Sequence, residues 1–127
     1  MMAVWVALGS ALGGVARYWC SGIIARYFGE TFPLGTLIVN VVGSFLIGLI
    51  ATVSGPDGRF IISAEARQFM MVGILGGFTT FSSFSLQTLT LARDGEWLLV
   101  GANVVGSMVL CLLMVWVGHV LATALNR

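Results

Sequence analysis

Gly76-Gly77-Phe78-Thr79-Thr80-Phe81-Ser82-Ser83-Phe84-Ser85 sits inside a run without charge that extends from Gln68 to Ala92. That run is 25 residues long, and a helix needs about 20 apolar residues to cross the hydrocarbon core of a bilayer. Its centre has the wrong chemistry for an inert anchor. Each glycine weakens a helix interior by about 1 kcal/mol relative to alanine, and the hydroxyls of Thr79, Thr80, Ser82 and Ser83 can bond their own backbone in place of the helical ladder. The stretch therefore predicts a membrane helix broken near its middle. A break at membrane depth strands N–H and C=O groups that lipid cannot satisfy, so protein, water or an ion must do so. The break marks an ion site or a pore element.

Working outward, charge-free runs of 26 residues (Thr31 to Pro56) and 30 residues (Trp97 to Asn126) flank this one, and the stretch from Met1 to Arg26 is interrupted only by Arg17. With 58% hydrophobic and 9% charged residues and a mean hydropathy of +1.02, the chain lies far from the roughly 25% charge of soluble domains. These features predict an all-α integral membrane protein with four transmembrane helices near residues 3–26, 33–54, 65–92 and 96–124. Short connections leave one four-helix domain over 1–127 and no room for a second. No basic segment precedes the first apolar run, so it reads as a retained helix rather than a signal peptide. Pro33 suits the opening of helix two, Ser63-Ala64-Glu65 reads as an N-cap for helix three, and Trp97 anchors helix four at the interface. Cys20 and Cys111 fall within predicted helices and read as small buried hydrophobes rather than a disulfide. A net charge of +1 offers no basic face for nucleic acid.

All six basic residues are arginines. Four spans put Arg59, Arg67 and Arg127 on one side of the membrane and Arg26 and Arg93 on the other. Cytoplasmic loops normally carry the excess of Lys and Arg, and three against two is a weak bias that allows insertion both ways up. The expectation is a dual-topology chain working as an antiparallel homodimer. A repeat agrees: Asn40-Val41-Val42-Gly43-Ser44 recurs as Asn103-Val104-Val105-Gly106-Ser107, and Leu12-Gly13-Gly14 recurs at the same offset of 63 as Leu75-Gly76-Gly77. Two-helix halves would be parallel repeats, so an inverted arrangement requires a second copy of the chain.

Away from the ends of the predicted spans, and apart from Arg17, the polar residues are neutral. Thr36, Asn40 and Ser44 share one helical face by their four-residue spacing; Asn103 and Ser107 share another, with Cys111 next on it. No Asp or Glu lies beyond the first residue of a predicted span, which argues against a proton-coupled carrier. Hydroxyl and amide donors without fixed charge suit an anion that must shed water and still leave quickly; the plainer reading is interhelical glue. Phe81 and Phe84 lie three apart beside the break, where ring edges can offer electropositive C–H groups, although such pairs usually just pack. Arg17 either snorkels to the interface near Tyr18, Trp19 and Arg26 or faces a wet vestibule and attracts anions. Gly9 and Gly13, with Ser10 and Gly14 beside them, form a face where another backbone can approach closely; Met108 and Met114 read as core.

The stretch 76–85, together with Gly35-Thr36-Leu37-Ile38-Val39-Asn40-Val41-Val42-Gly43 and Gly13-Gly14-Val15-Ala16-Arg17-Tyr18, resembles the Fluc/CrcB fluoride channels over all four spans. The resemblance implies a passive, non-enzymatic fluoride channel of the bacterial inner membrane, built as an antiparallel dual-topology homodimer with two pathways. It further implies Phe81 and Phe84 as pore-lining rings, Asn40 as an anion-coordinating amide, and Thr80, Ser107 and Asn103 along the polar pathway, with Arg17 at the vestibule. Backbone carbonyls of Gly76 and Thr79 would hold a structural Na+ at the dimer interface. Asn103 stands where some members carry an aromatic hydroxyl, and Cys111 replaces a hydroxyl. Two rivals are a small multidrug-type antiporter, which needs an intramembrane carboxylate, and a non-transporting membrane scaffold, which leaves the break without a task.

Overall fold

A computed structural model describes all 127 residues, from Met1 to Arg127. It contains helices and no strands. α1 spans Met2–Phe28 and α2 Leu34–Val53. The third span begins as α3 (Ala64–Gln68), continues through a π-helical segment (Phe69–Leu75) and a last turn, α4 (Gly76–Phe78), and stops. It resumes as α5 (Phe81–Arg93), and α6 (Trp97–Leu125) completes the chain. Three segments, Leu34–Val53, Ala64–Arg93 and Trp97–Leu125, are long and apolar enough to cross a membrane. α1 matches them in length at 27 residues but is less apolar, because glycines, serines and two arginines dilute its aliphatic content.

Local chemistry sets the boundaries. Ser63 caps α3, its hydroxyl accepting from the Ala66 N–H at 3.1 Å, with Glu65 in the first turn where an acid favours the helix N-terminus. Pro33 stands one position before the first residue of α2, its carbonyl accepting from Leu37 N–H. Beyond α5 the chain turns at Gly95, whose φ of +75° suits a residue without Cβ. There the Gly95 and Glu96 N–H groups return to the carbonyls of Ala92 and Leu91, the pattern that closes orphan helix carbonyls.

Packing is backbone against backbone where the glycines allow it. A Cβ on Gly9 would stand 2.6 Å from the Phe69 carbonyl oxygen, and one on Gly77 2.6 Å from that of Ser10. α1 therefore runs parallel to the first half of the third span, with Trp5 meeting Phe69 edge-on at 6.0 Å between ring centroids. On the other side Gly48 abuts the Val115 carbonyl and Gly118 that of Phe45, so α2 and α6 also pack closely along their length. α2 touches every other span and forms the centre of the bundle.

Two arginines expected to report on topology have bonding tasks. Arg67 donates to the Ala51 carbonyl and the Ser54 hydroxyl at the end of α2; Arg59 donates to the Leu125 carbonyl at the end of α6. Cations suit such carbonyl-rich termini. Only 15 of 127 residues are buried, so most apolar side chains face outward, as they must toward lipid or a second chain. Cys20 is exposed rather than buried, and both cysteines are free thiols.

Candidate functional site

The break occupies Thr79 and Thr80, both in extended backbone (φ −84°, ψ 158° and φ −152°, ψ 113°). Helical hydrogen bonds that would cross it have been rerouted, and side chains do the rerouting. The Thr80 N–H, ordinarily the donor to Gly76, instead donates to Asn40 Oδ1 at 2.8 Å, while Asn40 Nδ2 donates to the Thr80 carbonyl at 3.1 Å. The amide of α2 thereby pairs with the extended segment as a backbone peptide would. The Ser83 N–H, ordinarily the donor to Thr79, bonds Thr80 Oγ1 at 3.1 Å, making Thr80 the N-cap of α5. Arg17 Nε donates to the Gly77 carbonyl at 3.0 Å. The carbonyls of Gly76 and Thr79 have thus lost their regular helical donors, and Gly76 lies on an exposed face.

Two cavities border this point. The larger, about 790 Å³, is lined by Arg17, Arg26, Thr36, Ser83 and Gln87 among others; the smaller, about 350 Å³, by Asn40, Ser44, Gly76, Thr79, Phe81, Phe84, Ser107, Met108 and Cys111. Thr80 lines both, and no other residue does. Thr36, Asn40 and Ser44 do share a face of α2, and that face runs from one cavity past the break into the other. Beyond the break the rings of Phe81 and Phe84 lie 5.3 Å apart at an interplanar angle of 48°. Phe84 is 7% exposed and Phe81 69%, so one ring is fixed in the wall and the other turned outward.

Asn103 stands apart from this group. It is 1% exposed, donates to Thr88 Oγ1 at 2.9 Å and accepts weakly from Ser107 at 3.4 Å; it ties α6 to α5 behind the wall while Ser107 lines the cavity. Arg17 is neither a snorkelling residue nor simply exposed: its Nε is bonded inward and its side chain borders the larger cavity. Met108 also lines the smaller cavity, at 43% exposure, instead of lying in a core.

One residue of the site went unnoticed at the level of sequence. Gln87 borders the larger cavity, and its Oε1 is buried without a hydrogen-bond partner. The signal was its spacing, four after Ser83 and three after Phe84, which sets it on the same face of α5.

The five acidic residues, Glu30, Asp57, Glu65, Asp94 and Glu96, are all exposed and lie in loops or, for Glu65, in the first turn of α3. Neither cavity offers a carboxylate at the break. No group of three or more His, Cys, Asp or Glu side chains could hold a metal ion, so a cation at the break would rely on backbone carbonyls.

Comparison with known proteins gives the same picture from outside. The family described as "CrcB-like protein, Camphor Resistance (CrcB)" matches residues 4–119. A protein of Opitutus terrae named "Fluoride-specific ion channel FluC" is 61% identical over 123 residues, covering 97% of this chain and 93% of that one. Proteins with the same name from Paramagnetospirillum magneticum and Rhodospirillum rubrum are 63% identical over 122 residues and 57% over 127, with 95% and 98% of their lengths covered, and 96% and 100% of this chain.

Proposed function

The chain belongs to the CrcB-like protein family, and on that premise we propose that it is a fluoride-specific ion channel of the bacterial inner membrane, through which cytoplasmic fluoride leaves down its gradient. One observation carries this reading within the chain: neutral donors and aromatic edges line the smaller cavity, which shares Thr80 with a larger one bordered by Arg17, Arg26 and Glu30, and no carboxylate stands beside the break. Fluoride binds water tightly, so a pathway must replace that water without trapping the ion. The second amide proton of Asn40 donates without adding charge, the hydroxyls of Thr80 and Ser107 do so when their single protons turn from Ser83 Oγ and Asn103 Oδ1 toward the ion, and the positive edges of Phe81 and Phe84 complete the shell. Asn103 acts from behind by holding Ser107 and α5. Nothing here performs covalent chemistry; the protein conducts and is not an enzyme.

The working unit in this proposal is an antiparallel homodimer. It is supported by the balanced arginine distribution, by the exposed Phe81 ring, and by the exposed Gly76 at the break. The carbonyls of Gly76 and Thr79 fit a structural Na+ shared with their counterparts in the second chain, because their own donors have been diverted to Asn40 and Thr80. Such an ion would supply positive charge to oxygens that lipid leaves unsatisfied. A proton-coupled antiporter lacks its carboxylate, and a scaffold gives the donors no task.

Purified protein reconstituted in liposomes tests the reading with a fluoride electrode and chloride as the control ion. Fluoride should leave rapidly and chloride should stay. Comparable chloride flux contradicts selectivity, and absence of fluoride flux revives the scaffold.

A further inference from the structure

We propose that Arg17 is a positioning residue whose Nε–H, rather than its charge, holds the broken third helix in register. The inference rests on the channel reading above and deepens it. Arg17 is the one charged side chain that bonds the break, and its contact is specific: Nε to the Gly77 carbonyl at 3.0 Å across 60 residues of sequence. Gly77 is the middle residue of the three-residue turn α4, the last before the chain becomes extended. Its flanking carbonyl, Gly76, has lost its donor to Asn40. Two side chains therefore fix the end of the first half-helix, the Asn40 amide from α2 and the Arg17 guanidinium from α1.

The surrounding packing makes that bond decisive. Gly77 presses its backbone against Ser10 and Gly14, and of the turn's three residues only Phe78, whose ring lies against Gly43 of α2, brings a side chain to oppose its rotation. Behind it lies the π-helical segment Phe69–Leu75, a geometry that holds an extra residue per turn and can relax toward α by rotating the turn after it. A donor anchored on α1 opposes that rotation. If the turn rotated, the Gly76 and Thr79 carbonyls and the Thr80 cap would leave their positions together. The bond also puts a cation at the carbonyl end of a half-helix, where it is favoured. The rest of the guanidinium borders the larger cavity, so a simple anion-attracting role is the competing account.

Side-chain lengths separate the two. Glutamine carries an N–H donor the same number of bonds from Cα as arginine Nε, without charge. Lysine keeps the charge but puts a methylene where Nε–H stands; methionine has neither. Fluoride efflux from liposomes is measured for Arg17→Gln, Arg17→Lys and Arg17→Met at low and high salt. In parallel, amide hydrogen exchange is followed across residues 74–84 in lipid nanodiscs.

The clamp predicts that Gln is the least impaired variant, conducting about tenfold or more faster than Lys and Met, the order expected when the Gly77 carbonyl is left without its donor. This ranking should be independent of salt. Exchange at Thr79 and Thr80 should accelerate in Lys and Met and stay near wild type in Gln. If Lys is the least impaired and its advantage shrinks with salt, attraction governs and the clamp is wrong. Equal behaviour of all three variants in efflux and exchange also overturns it. Absence of fluoride flux in the unsubstituted protein would refute the channel reading instead, and the exchange ranking would still decide the clamp.

Discussion

Asn40 can be probed by two substitutions that separate its bonds to the break from its effect on an anion. Alanine removes both Thr80 contacts, leaving an N–H and a C=O to find water at a cost of about 1–3 kcal/mol for each unsatisfied group. Aspartate keeps an acceptor for the Thr80 N–H but turns its second oxygen against the Thr80 carbonyl, so the 3.1 Å donation becomes acceptor facing acceptor. It also adds charge beside the smaller cavity. A carboxylate about 4 Å from fluoride, at an effective dielectric constant of about 20, repels it by about 4 kcal/mol. That corresponds to about a thousandfold in rate at about 1.4 kcal/mol per decade. Fluoride efflux should therefore fall further in Asn40→Asp than in Asn40→Ala, by about tenfold or more after allowance for partial protonation and screening. The assay is initial efflux rate from liposomes at matched protein density, with gel filtration to confirm equal assembly. Equal losses in the two variants would refute the reasoning and leave Asn40 a purely structural clamp.

Phe84→Ile should cut fluoride flux while leaving the size of the assembly in detergent unchanged, because it keeps buried apolar volume and removes the ring edge; full flux would take Phe84 out of the pathway. Gly13→Ala should lower thermal stability by about 1–3 kcal/mol, since its Cβ would run into the Ile74 carbonyl. Gly14→Ala, with nothing within 4 Å, should be neutral or slightly stabilising, and equal melting of the two would count against the close approach. Exchange of Na+ for a large organic cation during purification should weaken assembly and flux, both restored by Na+; indifference to Na+ would remove the ion from the carbonyls of Gly76 and Thr79.

How much of the molecule was legible in the sequence depends on the range of each interaction. The break was readable because glycine and hydroxyl chemistry are local, and Thr80 caps α5 as a threonine three before Ser83 can. The cap at Ser63 was local too. The stripe Thr36, Asn40, Ser44 was legible as one face, but spacing could not say that Asn40 would meet Thr80, 40 residues away. Arg17 presented the same difficulty: composition marked it as needing a partner, and only the approach of α1 to α4 through Gly9, Gly13 and Gly77 supplies the Gly77 carbonyl. Met108 and Cys20 are exposed rather than in a core, because in a membrane bundle lipid-facing and cavity-facing surfaces accept apolar side chains as readily as the interior does. Gln87 lies outside the repeated and motif segments, and only the packing of α5 beside the larger cavity buries its Oε1.

The central claim is passive, fluoride-selective conduction, and the zero-current potential of the protein in a planar bilayer tests it most directly. With fluoride graded across the membrane and chloride equal on both sides, that potential should track the fluoride gradient at about 59 mV per tenfold change for a singly charged ion. It should stay unmoved when chloride alone is graded. A potential that follows chloride, or that stays at zero under a fluoride gradient, would contradict the account.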